Sequence, residues 1–317
     1  MRIQYSANAG TLIEVSELIE NILPSISEVF LQHVIQMISV PRHYCAENAN
    51  NERIARWIRH QFETFGFQTS FHGRFRNIVA LPATPLASSS LLVSAHYDTV
   101  PGSPGADDNG SGIAVLLACA RALSAYRIPT STIFVAFNRE EDCLIGSQEF
   151  VADSVHQFKT KLSEVHVMEM VGYCSHEAGS QHLPQGLPIS LPDRGDFLGL
   201  IGNHRSATLV DATLRTAKTY LGGFPVLGLS VYLGLEKYFP NLQRSDHASF
   251  WQARIPALMW TDTAEYRNAH YHSSQDRPNT LDYTFMKQVA QLLLSRIILH
   301  ESNGWNSNRQ ADRTAFK

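Results

Sequence analysis

Two short runs, Ser90–Ala95 and Thr132–Phe137, constrain the fold of this 317-residue chain more than any other feature. Both are β-rich and nearly all apolar, as expected of strands buried on both faces rather than strands with one wet face. Between them, Ser111–Ser124 has apolar residues at helical spacing. A strand, a helix and a second strand in that order form a parallel unit whose helix covers one face of the sheet. Asn77–Leu81, Val165–Met170, Phe197–Ile201, Val226–Tyr232 and Ala257–Thr261 read as further strands. Val29–Ile38, Ile54–Phe65, Ala207–Leu221 and Tyr283–His300 read as helices, with Gly66 as a stop signal after the second. The alternation predicts an α/β fold, a three-layer α/β/α sandwich around a mixed, mainly parallel sheet. No repeat and no long Pro/Gly/Ser linker divides the chain. One domain over residues 1–317 is expected, with its core in 26–300 and a polar, aperiodic loose tail over 303–317.

Composition removes several function classes. The chain is 44% hydrophobic and 17% charged, an ordinary globular balance. With 26 Lys+Arg against 29 Asp+Glu the net charge is −3, and no basic run stands out, so neither a nucleic acid nor an anionic membrane is expected as partner. The longest apolar run, Ile113–Ala120, is far shorter than the ~18 residues of a membrane span. The opening MRIQYSANAGTLIEV lacks the apolar segment and cleavage site of a signal peptide, which favours a cytoplasmic location. Cys45, Cys119, Cys143 and Cys174 are widely spaced with no C-x-x-C, which argues against a thiolate zinc site or a disulfide framework. Cys119 lies in an apolar helical run and reads as core.

In open α/β sheets ligands sit beyond the carboxyl ends of the strands. There the chain carries His96-Tyr-Asp98, Glu140-Glu141 and Glu169, each directly after an apolar strand or at its end. Every one has an ordinary structural reading. A strand-end His beside an Asp is a common hydrogen-bonded pair, yet a carboxylate that takes the imidazole N–H also raises the ring's basicity toward a metal. Gly105-Ala-Asp107-Asp108-Asn109-Gly110-Ser111-Gly112 is a turn and helix cap, but a carboxylate held there can bridge two cations. Glu140-Glu141 is a solvated acidic turn, or else one ligand and one free general base. Glu169 sits between two methionines, where an isolated acid is costly without a partner or a metal. Ala269-His270-Tyr271-His272-Ser-Ser-Gln-Asp276 lies in a loop before the last helix. Fourteen histidines among these acids supply the usual zinc donors.

Taken as a set and in this order, the segments SAHYDTV (94–100), GADDNGSG (105–112), FNREEDCLIGSQEF (137–150), VMEMVGY (167–173), SDHASFW (245–251) and AHYHSSQD (269–276) resemble the co-catalytic di-zinc aminopeptidases. That group also holds glutamate carboxypeptidase-like enzymes and the divergent glutaminyl cyclases. The resemblance implies two zinc ions per chain, one held by His96 and Glu169, the other by Glu141 and His272, with Asp108 bridging them. It further implies that Asp98 orients His96, that Glu140 is the general base, and that the Asp108–Asn109 peptide is cis. Tyr271 resembles the tyrosine that polarises the scissile carbonyl in some members. Asp246-His247 reads as a brace for the pocket loop rather than as ligands. Glu169 departs from the aspartate of the leucyl-aminopeptidase type by one methylene, which bears on the metal spacing and on reception of a free amine.

The reaction so implied is hydrolysis of a peptide bond at a chain end, most simply by an aminopeptidase, with a metal-activated water and a peptide or amino-acyl substrate. A glutaminyl cyclase with one zinc on Asp108, Glu141 and His272 is the alternative enzyme, and a peptidase-like binding domain without catalysis is the alternative of another class. A serine hydrolase lacks its G-x-S-x-G elbow here and a helical zincin its H-E-x-x-H. The side-chain preference is left to loops around 175–205 and 232–245 that carry no motif. Oligomeric state is not legible in the sequence.

Overall fold

A computed structural model of the chain describes residues 1–154 and 160–315. In chain order the regular elements are β1 (Arg2–Tyr5), α1 (Glu17–Ile22), α2 (Glu28–Ile38), α3 (Asn48–Thr64), β2 (Gln68–His72), β3 (Asn77–Leu81), β4 (Ser89–His96) and α4 (Gly112–Ala125). They continue with β5 (Ile133–Phe137), α5 (Ile145–Ser154), β6 (Lys161–Met168), β7 (Leu198–Asn203), α6 (Ala207–Tyr220), β8 (Val226–Val231), α7 (His247–Gln252), β9 (Ala257–Thr261) and α8 (Tyr283–Ala315). The strands form one sheet in the order β1-β8-β7-β9-β6-β4-β5-β3-β2. Its centre, β9-β6-β4-β5, is parallel throughout, while β3 and β7 run antiparallel to the strands beside them in that block.

The apolar runs are two-faced, as parallel strands require. Leu91, Val93 and Ala95 of β4, with Phe134 and Ala136 of β5, pack into the larger core with α2, α3, α4, α6 and α8. Leu92, Ile133, Val135 and Phe137 point the other way, against Phe150 of α5 and Phe250 and Trp251 of α7. The result is three layers, helices on both faces of the expected mixed sheet. Helix α4 is buried along its whole length from Gly112 to Ala120, which is why that run shows almost no polar stripe. Among the described residues no helix is long and apolar enough to cross a membrane.

Two expectations are revised. The last helix does not stop at His300 but continues as α8 to Ala315, so most of the segment expected to be a loose tail has helical backbone. Once the packed turns have nucleated a helix, extension costs little and needs no apolar stripe, hence the absence of a signal. Residues 316–317 of that segment lie outside the described residues. The strand ending in Glu169 stops at Met168, leaving the acid just beyond it.

Arg42 ties α2 to the loop that follows β4. It is fully buried and donates to the carbonyls of Tyr97 (2.6 Å), Ile38 (3.0 Å), Val40 (3.3 Å), Pro104 (2.6 Å) and Gly105 (2.9 Å). Burial lowers its pKa to about 10, against the opposing pull of Asp276 and Asp98, so the guanidinium stays charged. Arg42→Met leaves these carbonyls without donors, and a loss of about 3 kcal/mol in urea unfolding is expected. Arg42→Lys should rescue little, because an ammonium cannot span them.

His247, at the start of α7, is fully buried. Its Nε2 lies 2.9 Å from the Leu242 carbonyl and its Nδ1 has no partner, so burial pushes the pKa down to about 4. The folded state holds the neutral ring while the unfolded chain protonates near 6.5, so this contribution is complete above pH 6.5 and fades as pH falls to about 4. The fade is on the order of 3 kcal/mol. Urea midpoints measured across that window should show a step that His247→Gln removes.

Candidate metal centre

The parallel register brings the polar strand ends to one edge. His96 pairs beside Phe137, and Ser94 beside Val167, so two residues further along each strand lie His96 and Glu169. The loop after β5 then supplies Glu140 and Glu141. Asp98 fixes that loop, since its two carboxylate oxygens accept the backbone N–H groups of Glu140 and Glu141, both at 3.2 Å. His96 Nδ1 stands 3.3 Å from the Asp98 backbone carbonyl and 3.5 Å from its carboxylate.

Asp108 comes from a kinked turn at the foot of α4, and the Asp108–Asn109 peptide is cis, as the resemblance implied. Groups from distant parts of the chain hold the turn. Asp276 accepts the backbone N–H of Asp107 (2.8 Å) and of Asp108 (3.0 Å), and Asn109 Nδ2 donates to the Met168 carbonyl at 2.8 Å. Gly105 opens it with φ +58°, where a Cβ would collide with the Asp108 carbonyl and Thr99. Asp107 turns inward instead, accepting from Gly172 N and Asn268 Nδ2, which explains why only the second acid of the pair faces the pocket.

The distances describe two sets of donors that share one carboxylate. Asp108 Oδ1 lies 3.3 Å from His96 Nε2, which is 3.5 Å from Glu169 Oε2. Asp108 Oδ2 lies 3.2 Å from His272 Nε2, which is 3.3 Å from Glu141 Oε2. Nitrogen and oxygen ligands at about 2.0–2.1 Å from a tetrahedral ion stand roughly 3.3–3.4 Å apart, so these edges fit small divalent cations. Glu140 Oε2 is further from His96 Nε2, at 3.8 Å. Every residue expected at the site is thus brought together. Tyr271 lines the same cavity, its ring stacked on His272 with centroids 3.7 Å apart and its hydroxyl accepting from Arg244 Nη2 at 2.7 Å.

The pocket holds more acid than its two imidazoles neutralise. Burial pushes Glu140 well above the carboxylate range, helped by Glu169 and Glu141. Burial raises Glu141 to about 7, with Asp108 adding to it. Burial opposes charge on His272, but Asp108 and Glu141 raise it to about 10, and the two imidazoles together hold Asp108 well below its usual range despite burial. His96 Nε2 and Glu141 Oε1 are buried without hydrogen-bond partners among the described residues. Unmatched donor atoms and an excess of buried carboxylates are what a cation relieves.

Four contributors escaped sequence reasoning in these roles. Ser245 Oγ donates to Glu169 Oε2 at 2.6 Å, and Arg244 aims Tyr271 while paired with Glu265. Asp246 is fully buried, and burial raises it to about 7 against the opposing pull of His96 and Ser147. Asp276 carries the Asp108 turn. Ser245, Asp246 and Asp276 lie inside segments that carried the resemblance; Arg244 had no signal beyond adjacency.

Comparison with known proteins identifies the family. The family model described as peptidase family M28 matches residues 77–188 and 226–297. The chain belongs to peptidase family M28. It is 34% identical over 263 residues to the uncharacterised YfbL of Escherichia coli K12, covering 77% of this M28 chain and 79% of that protein. It is 47% identical over 211 residues to aminopeptidase YwaD of Bacillus subtilis, covering 65% of this chain but 40% of YwaD, so it spans well under half the length of that relative. The fold is shared with the Legionella pneumophila LapA aminopeptidase, at TM-score 0.72 and 19% identity over 91% of this chain and 76% of LapA. It is shared also with the Porphyromonas gingivalis glutaminyl cyclase, at TM-score 0.62 and 20% identity over 87% of this chain and 99% of that one.

Because the Asp98 carboxylate holds the Glu140–Glu141 loop and stands against His96, Asp98→Asn should weaken metal binding about 10–100-fold with the fold intact. Competition against a chromophoric chelator, with a circular dichroism melt as control, measures this.

Proposed function

We propose that this M28 chain is a zinc-dependent aminopeptidase that cleaves the first peptide bond of substrates with a free amino end. The observation that carries the reading is Asp108, whose two oxygens face His96 with Glu169 on one side and His272 with Glu141 on the other. In this reading two zinc ions occupy those sets. When bound, they would supply Lewis acidity and lower the pKa of water toward neutrality.

The chain's own residues then have distinct tasks. Glu140, outside the two shared-carboxylate sets, acts as its carboxylate: it accepts a proton from the attacking water and passes it to the leaving amine. Asp98 keeps Glu140, Glu141 and His96 in register. Burial keeps the Tyr271 hydroxyl protonated, and Arg244 aims it, so it can donate to the scissile carbonyl oxygen. Beyond these groups a cavity of about 500 Å³ opens, walled by Leu187, Ile189, Phe197, Leu229, Leu242 and Met259, which suits a large apolar first side chain. The zinc named for the Bacillus subtilis aminopeptidase of the same fold, and the aminopeptidase names of the relatives, support the metal and the reaction.

A cyclase-like enzyme with one ion would need only Asp108, Glu141 and His272; a complete second set with His96 and Glu169 favours two. The same completeness argues against a binding domain that has lost catalysis.

Leucyl and phenylalanyl p-nitroanilides should be hydrolysed, their N-acetyl forms should not, and a chelator should abolish turnover. Glu140→Gln should keep its metal and lose about 10²–10⁴-fold in kcat. Equal turnover of free and acetylated substrates, or a Glu140→Gln enzyme near wild-type rate, would overturn the assignment.

A further inference from the structure

A second set of metal-type donors lies outside the acidic pocket, on the stretch that leaves β6. Cys174 Sγ, a His176 ring nitrogen and an Asp282 carboxylate oxygen lie within 4.8 Å of one another, and the sulfur is 3.9 Å from Nε2. Sulfur at about 2.3 Å and nitrogen at about 2.0–2.1 Å from a tetrahedral ion stand roughly 3.5–3.6 Å apart, so a small side-chain adjustment closes this edge. The other ring nitrogen of His176, Nδ1, stands 3.3 Å from Asp196 Oδ2. A carboxylate there fixes the tautomer in which Nε2 is the free donor, the arrangement common behind metal-bound histidines. Asp282 uses Oδ1 to cap α8 by accepting from Phe285 N at 2.9 Å, which leaves its second oxygen for another partner.

We propose that Cys174, His176 and Asp282 form a peripheral site for a zinc-type cation, distinct from the Asp108 centre, with Asp196 orienting His176 and water completing the shell. On binding, the Cys174 S–H bond breaks, its proton goes to solvent, and the thiolate sulfur forms the bond to the metal. Thiolate and imidazole select zinc-like ions over calcium or magnesium. Sequence spacing alone hid the site, because its third donor lies more than a hundred residues from the first two.

The site acts as a staple. Asp282 N already donates to the Gly172 carbonyl at 2.9 Å, and Gly172 N donates to Asp107 Oδ1 at 3.0 Å, next to the shared carboxylate. A cation on Cys174, His176 and Asp282 would fasten the exit of β6 to the start of α8 and so stiffen the support of the Asp108 turn.

Cobalt(II) replacing the native metal reports the site directly, because a cobalt–thiolate bond gives an intense near-ultraviolet charge-transfer band that nitrogen and oxygen ligands do not. The measurement uses the full chain carrying Cys45→Ser and Cys143→Ser, so that neither exposed thiol contributes, while Cys119 is buried. Titration should give the band from one cobalt per chain beyond those held at the Asp108 centre. Adding Cys174→Ser should abolish it without loss of fold, and His176→Ala or Asp282→Asn should each weaken the cobalt affinity behind it at least tenfold. No band in the folded Cys45→Ser/Cys143→Ser protein, or a band whose affinity ignores both His176→Ala and Asp282→Asn, overturns the proposal. Because the readout is a thiolate band, failure here leaves the peptidase reading untouched, and loss of hydrolysis leaves this one untouched.

Discussion

Burying carboxylates beside one another is the constraint on which the functional edge of this protein depends. The side chains of Asp98, Asp108, Glu140, Glu141 and Asp246 are almost completely withdrawn from solvent, with Glu169 close by, and two imidazoles, His96 and His272, are paired with members of this set. An isolated buried carboxylate is costly, and several in contact are costlier still. Such a set persists when its members take up protons or share positive charge, and in the proposed reading that charge sits against the two oxygens of Asp108.

The scaffold serves this concentration of acid. Four parallel strands end at one level, which places their polar extensions side by side; buried side chains then hold the loops there by bonding their backbone groups. Asp98 holds the Glu140–Glu141 loop, Asp276 holds the Asp107–Asp108 turn, and Arg42 gathers carbonyls from α2 and from the loop after β4. Preorganisation of this kind lets a pocket keep donors at fixed separations without spending binding energy on ordering them.

Much of this was legible in the sequence because the central strands are short and largely buried and donor-type residues stand at their ends: His96 closes β4, Glu140 and Glu141 follow β5, and Glu169 follows β6. β3 and β9 lie where their apolar runs put them, and every expected donor reaches the pocket. The edge strands β1 and β2 were not legible, since they are short, partly exposed and polar at alternate positions. Arg42 gave no signal, because the carbonyls it satisfies meet only in three dimensions. The same holds for Asp276 and Asp246, whose roles are set by distant neighbours, and for the cavity wall near Leu187 and Ile189, which reads as a loop without periodicity.

The central claim is that Asp108 is shared between two metal ions. Zinc per chain, counted by mass spectrometry of elements on the Cys174→Ser protein so that the peripheral site does not contribute, tests it most directly. The account predicts two zinc ions per folded chain, with His272→Ala retaining one. A single tightly bound zinc in the Cys174→Ser protein, or a count unchanged by His272→Ala, would contradict it.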